Sequence, residues 1–264
     1  MHRSRRAVLA VVAAVLATST VTAGPAFAKG NTASKSTTRS TVVPGYDIGW
    51  PQCPSSVPGS AAFGIVGVNH GLAYSVNSCL SSQYGWASRL TKAPAFYTNT
   101  ANPGPISTHW NNPGFPQACV DPSSASDTGC AYDYGWNAAA SAFATAASAT
   151  TTTVAATHAW YLDVETGNSW NGSTSANAAD LQGGIDYLHS RGVATVGVYS
   201  TGYQWGVITG GYAIAGAPDW VAGALGARQA AGWCGPSYSF SGGPVHLVQY
   251  PQSGFDADYA CPGT

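Results

Sequence analysis

From Pro44 onward the chain alternates two kinds of stretch. Short, Gly-bounded runs rich in β-branched and aromatic residues read as strands: Tyr46 to Ile48, Phe63 to Val68, Ala95 to Tyr97, Trp160 to Val164, Thr195 to Tyr199, Trp220 to Ala222 and His246 to Tyr250. Between them lie segments of helical character: Leu80 to Leu90, the Ala-rich Tyr132 to Ala149, Asn177 to Arg191 with Leu181, Ile185 and Leu188 at helical spacing, and a short one near Gln204. Strand alternating with helix predicts a parallel sheet with crossovers, and near-continuous apolar strands predict a sheet covered on both faces. Seven or eight strands in about 220 residues fit a closed, TIM-barrel-like (β/α) barrel better than an open doubly wound sheet. The Gly/Pro/Asn-rich stretch from Asn99 to Gly129 predicts that loops replace some of the helices. No internal repeat and no second core is visible, so residues 44–264 read as one modified (β/α)-barrel domain of the α/β class.

The first 43 residues follow a different pattern. A basic start (His2-Arg3-Ser4-Arg5-Arg6), an apolar run from Ala7 to Ala17 and the small-x-small site Ala26-Phe27-Ala28 read as a secretory signal peptide over residues 1–28. The apolar run is about half of the ~20 residues that span a bilayer, which argues against a retained anchor. Residues 29–43 are Ser/Thr-rich, without apolar periodicity, and read as a flexible leader. The expected location is therefore secreted and extracellular, with no membrane association after cleavage.

Composition sharpens the picture. Only 8% of the 264 residues are charged, against about 25% in an ordinary soluble domain, which excludes a coiled coil or a charged disordered tail. Six of the ten basic residues precede Pro44, while all eleven acids follow it. From Pro44 on, Arg89, Lys92, Arg191 and Arg228 face eleven acids, a net of −7. A nucleic-acid or anionic-membrane partner would need a basic face that this sequence lacks.

Six cysteines in an exported chain read as a disulfide framework. Sequence order suggests Cys53–Cys79, Cys119–Cys130 and Cys234–Cys261 among the 15 possible pairings. Without a Cys-x2-Cys pair or a His pair at helical spacing, no metal and no cofactor is expected.

Active sites of parallel barrels lie at the C-terminal strand ends, so acids ending apolar strands are the candidate chemistry. Asp163 and Glu165, the only Glu of the chain, stand two apart in Trp160-Tyr161-Leu162-Asp163-Val164-Glu165. Alternation along a strand puts both carboxyls on one side, inside the barrel mouth. Asp47 follows Gly45-Tyr46 on the first strand, and Asp256 and Asp258 end the last strand region. Paired carboxylates in a water-poor cleft suit glycoside hydrolysis, one protonating the leaving oxygen and the other stabilising positive charge at the anomeric carbon. The bland alternative is that Asp163 and Glu165 cap a neighbouring helix or hold buried backbone donors.

The order of motifs resembles the family 25 glycoside hydrolases, muramidases that cleave bacterial cell-wall glycan in a modified (β/α) barrel. Gly45-Tyr46-Asp47-Ile48-Gly49-Trp50-Pro51-Gln52 is similar to that family's Gly-x-Asp-x-Ser-x-x-Gln opening, and Leu162-Asp163-Val164-Glu165 to its Asp-x-Glu strand. Gly197-Val198-Tyr199-Ser200 and Asp219-Trp220-Val221-Ala222 follow as fifth and sixth strands. Val248-Gln249-Tyr250 and Phe255-Asp256-Ala257-Asp258 look like the terminal Gln-Tyr…Val-Asp-x-Asn. The resemblance implies Glu165 as general acid, Asp163 orienting it or stabilising the transition state, and Asp47 and Asp256 completing an acidic floor. The chain departs from the family where Val68-Asn69-His70-Gly71-Leu72 replaces a Lys-x-Thr-Glu-Gly-like motif, Gly49 replaces Ser, and Phe96-Tyr97-Thr98-Asn99 replaces a Tyr-His-aromatic strand.

Aromatic faces stack on sugar rings while amides reach hydroxyls. Trp50, Gln52, Asn69, Tyr97, Tyr199, Trp220, Gln249 and Tyr250 are accordingly the expected substrate-binding set, and Trp110, Trp170 and Trp205 also stand near strand ends or loops. His70 and His246 read as structural hydrogen-bonding groups. The expected partner is a polysaccharide or cell-wall glycan met by a monomer. A non-catalytic glycan-binding barrel and a structural exoprotein are the rivals, and the latter predicts that the four acids do not converge.

Overall fold

The computed structural model describes residues 43–54, 56–110 and 116–264. The expected signal peptide and all but the last residue of the leader lie outside the described residues. Eight strands close a barrel: β1 (Gly45–Ile48), β2 (Gly64–Gly67), β3 (Ala95–Asn99), β4 (Ala159–Asp163), β5 (Val196–Ser200), β6 (Asp219–Val221), β7 (Val245–Gln252) and β8 (Phe255–Ala260). Strands β1 to β7 run parallel, each paired with the next, and β8 runs antiparallel between β7 and β1.

The helices are α1 (Leu80–Ala87), α2 (Thr128–Ala149), α3 (Thr152–Thr157), α4 (Thr174–Ser190), α5 (Gly202–Thr209) and α6 (Ala227–Gly232). Side-chain caps start the longest of them: Asp127 accepts from the Cys130 N–H at 2.8 Å and Ser173 from the Ala176 N–H at 3.3 Å. α2 and α4 pack backbone to backbone. A Cβ on Gly135 would lie 1.8 Å from the Asp180 carbonyl oxygen, so only glycine permits that approach.

The period-two alternation of the strands sorts side chains into two cores. Outward-facing Ile48, Val66, Phe96, Trp160, Leu162, Val198 and Val248 are buried beneath the helices. Inward-facing Phe63, Ile65, Tyr161, Trp220 and Leu247 plug the lumen. Above that plug the same inward rows turn polar. Strand register sets Asn99 beside Asp163, Asp163 beside Tyr199, Gln249 beside Asp258 and Asp47 beside Asp256.

The expected modified (β/α) barrel is the observed fold, with differences in detail. Loops do stand in for helices, but at β1–β2, where only a 3-10 turn over Trp50–Gln52 occurs, and at β7–β8. The long stretch after β3 precedes α2 rather than replacing a helix. β8 was not expected as a strand, because its inward row carries Asp256 and Asp258 and so breaks the apolar run that marks the other strands. A two-residue turn with positive φ at Ser253 (55°) and Gly254 (81°) makes it a hairpin with β7. All three disulfides suggested by sequence order are present: Cys53–Cys79, Cys119–Cys130 and Cys234–Cys261. Among the described residues no helix is long and apolar enough to cross a membrane.

Candidate active site

Asp47, Asp163, Glu165 and Asp256 all line one cavity of about 200 Å³ at the C-terminal ends of the parallel strands. β1 supplies Asp47, β4 and its extension supply Asp163 and Glu165 on one face, and β8 brings Asp256 opposite Asp47. Asp163 is buried, Glu165 half-buried, and Asp256 open to solvent at the rim.

Neutral donors hold these acids. Asn99 Nδ2 donates to Asp163 Oδ2, while Asp163 Oδ1 is buried without a partner among the described residues. Gln249 Nε2 donates to Asp47 Oδ2 at 2.9 Å, and Gln249 Oε1 accepts from the Tyr199 hydroxyl at 2.8 Å. Behind Asp47 lies fully buried Asp258, whose Oδ1 accepts from Trp220 Nε1 at 2.8 Å. Gln204, in the first turn of α5, accepts at Oε1 from the Thr166 N–H (2.6 Å) and hydroxyl (2.9 Å), which turns its amide toward Glu165 as a donor.

Crowded acids in a desolvated cleft cannot all ionise at their ordinary pH. Burial pushes Asp47 up to about 8, against the opposing hydrogen bond from Gln249 and with help from Asp256. Burial first, then Glu165 and Asp47, hold Asp163 well above the usual carboxylate range. Glu165 is also raised by burial and by Asp256, and the Gln204 hydrogen bond opposes the shift. Asp256, though exposed at the rim, has its carboxyl partly screened from water by the cavity wall, which raises it as well. Each charge raises the cost of the next, so the protons leave in separate steps that belong to the cluster rather than to single residues.

Of the expected sugar-binding residues, Trp50, Tyr97, Tyr199, Trp220 and Gln249 line the cavity. Trp50 is 40% exposed and packs against His70, with ring centroids 4.2 Å apart, so it offers a free aromatic edge beside the acids. Three expected residues are not brought to the cavity, a correction with a physical reason in each case. Gln52 spends its Oε1 on the Gly49 N–H at 2.9 Å. Asn69 is buried and gives all its polar groups to β3. Tyr250 follows Gln249 on β7, so alternation turns it outward into the shell core. Trp110 and Trp205 are core residues that donate to the Pro122 and Tyr212 carbonyls. Trp170 braces the site from outside by donating to the Glu165 carbonyl at 2.8 Å.

Sequence reading missed Asn99 and Gln204, and it named Asp258 among the strand-end acids without giving it a place in the acidic floor. Asn99 and Asp258 were reachable by the same two-residue step that links Tyr97 to Asn99 and Asp256 to Asp258. Gln204 comes from a helix and carried no such signal. Cys119, Asp127 and Cys130 lie close enough for metal ligation, but the two sulfurs are bonded to each other and Asp127 caps α2.

The departures from the resembled family explain one another locally. A Cβ on Gly49 would lie 2.3 Å from the Tyr97 hydroxyl, and one on Gly67 2.6 Å from it. A Tyr at position 97 thus excludes a Ser at position 49.

The family described as Lysozyme-like protein 1 matches residues 131–229, under half of the chain. No curated protein matches in sequence. Among solved structures, the muramidase from Trichobolus zukalii aligns at 19% identity, covering 83% of this chain and 93% of that one, with a TM-score of 0.52. A glycosyl hydrolase 25 of Streptococcus pneumoniae aligns at 16% identity over 84% and 88%, TM-score 0.52. A family GH25 lysozyme from Aspergillus fumigatus aligns at 17% over 84% and 95%, TM-score 0.51. At these identities the likeness is one of fold, and it is the fold that the resemblance to family 25 glycoside hydrolases implied.

Proposed function

We propose that this chain is a secreted glycoside hydrolase acting on peptidoglycan in the manner of a muramidase, with Glu165 as the general acid. The observation that carries the reading is the convergence of Asp47, Asp163, Glu165 and Asp256 in one cavity beside the half-exposed Trp50. That convergence is what a purely structural exoprotein would lack.

Each acid has a role that fits its surroundings. Glu165 is half buried at the end of the β4 extension, so it can reach a glycosidic oxygen, and its raised titration keeps it protonated further toward neutrality. When it gives up that proton, the Gln204 donor stabilises the carboxylate left behind. Asp163, with Oδ2 fixed by Asn99 and Oδ1 free, supplies negative charge as the anomeric carbon becomes cationic, since a nearby cation favours ionisation. Asp47, fixed by Gln249, and Asp256 complete the acidic floor. Turnover falls as pH rises through the raised Glu165 value, because the acid form is lost. Trp50 holds a sugar ring by stacking, so binding of glycan by this acidic domain depends little on salt.

A binding-only barrel is the second reading. It rests on the end of β2, where Asn69 is committed to β3 and no charged side chain enters the cavity. The test is incubation of residues 29–264 with purified peptidoglycan, followed by borohydride reduction of the products. New reducing ends on muramic acid support the proposal. Glycan binding with no new reducing ends supports the second reading instead.

A further inference from the structure

Asp258 sits one inward step below Asp256 on β8, with no surface exposed. Its Oδ1 is satisfied by the Trp220 indole N–H, but its buried Oδ2 has no donor among the described residues. That oxygen belongs to a carboxyl close beside Asp47, whose partner across the β1–β8 ladder, Asp256, stands two places before Asp258 on the same face, and Asp47 Oδ2 already takes the Gln249 amide. The titratable groups facing Asp258 are Asp47 from β1, Asp256 from its own strand and Tyr161 from β4, with Tyr250 behind it on the outer side of β7. All are acids or phenols. Two carboxylates in contact, both desolvated, would leave an orphaned acceptor and an unpaired buried charge, each of which is costly. One proton removes both problems.

We propose that Asp258 carries a proton on Oδ2 and donates it to Asp47, acting as a positioning residue that fixes the Tyr199–Gln249–Asp47 chain beneath the reacting sugar. Burial and the neighbouring Asp47 both hold Asp258 well above its ordinary value, in keeping with the geometry. The neutral acid is isosteric with an amide, whose oxygen would accept from Trp220 and whose N–H would donate to Asp47. Asp258 is thus a proton-dependent version of a fixed donor. At alkaline pH its ionisation drives Asp47 and Asp258 apart, which shuts off the site independently of Glu165. The effect on turnover rests on the hydrolase reading, whereas the proton itself does not.

The sign of the linkage follows from the raised native value. Between about pH 4, where an unfolded Asp titrates, and the higher native value, the folded state binds more protons than the unfolded one. Stability is therefore unpenalised below that window and falls as pH rises through it. Asp258→Asn has no such loss. The expected result is that Asp258→Asn melts at or above the parent temperature, with a gap that widens as pH rises. A variant less stable than the parent by a margin that does not shrink with rising pH would overturn the proposal. Should the variant not fold, the Trp220 indole N–H resonance of the parent protein decides. It stays unmoved from about pH 3 to about pH 6 if Asp258 is protonated, and shifts with a midpoint near 4 if Asp258 is an ordinary aspartate. Release of reducing ends from peptidoglycan is measured on both proteins alongside. If the melting and resonance results hold but neither protein releases reducing ends, the hydrolase reading fails and the protonated Asp258 stands.

Discussion

Replacing Asn69 by Ala separates a structural from a substrate-binding role at the end of β2. The Asn69 amide donates to Thr98 Oγ1 at 3.0 Å and to the Asn99 carbonyl at 2.9 Å, and its oxygen accepts from the Asn99 N–H at 3.1 Å. At a net value of about 1 kcal/mol per hydrogen bond, the substitution removes about 3 kcal/mol, because the partners are left unpaired in a site with little water. For a domain of this size each kcal/mol lowers Tm by roughly 2–4 °C, so the expected loss is roughly 6–12 °C. The same change frees Asn99, whose side chain holds Asp163, so kcat on glycan falls even at temperatures where the variant is folded. Calorimetry and initial rates measure the two effects. A melting temperature within about 2 °C of the parent, together with a raised KM and unchanged kcat, would refute the reasoning. It would return Asn69 to the substrate-binding set.

Two further outcomes follow from packing and chain topology. Gly49→Ala places a methyl group against the Tyr97 hydroxyl and costs about 1–3 kcal/mol by overpacking. In a Tyr97→Phe background the penalty shrinks, and equal penalties measured by denaturant unfolding in both backgrounds would dismiss the clash. The Cys234–Cys261 bond closes a loop of sequence separation 27 and ties β8 to the segment after α6. Loop-closure entropy puts its contribution at about 3.5 kcal/mol, so the double Ala variant unfolds at correspondingly lower denaturant. An unchanged midpoint would mean that the barrel pairing of β8 alone holds the C-terminus.

Much of the site was legible because a strand repeats every two residues. Once Trp160 to Val164 reads as a strand, Asp163 and Glu165 must share a face, and the mouth of a parallel barrel is the place where such a pair can be useful. Disulfide pairing was legible for a related reason, since each bond joins cysteines adjacent in sequence order. Asn69 and Tyr250 were misplaced because position near a strand end does not say which face a residue takes or which neighbouring strand claims its hydrogen bonds. Asp258 was named as a strand-end acid but given no role, because inward-pointing acids make β8 look like loop and hide its place below Asp256. Gln204 reaches Glu165 across 39 positions, by way of a helix start whose placement depends on the whole barrel. Such contacts carry no local signature.

The measurement that bears most directly on the proposed chemistry is release of reducing ends from peptidoglycan by the parent protein and by Glu165→Gln. The amide keeps the shape of the side chain and removes its proton. If Glu165 is the general acid, the parent turns over and the variant loses about 10²–10⁴-fold in kcat with its affinity for the glycan retained. Equal turnover by the two proteins would contradict the assignment and move the acid role to another of the four carboxyls.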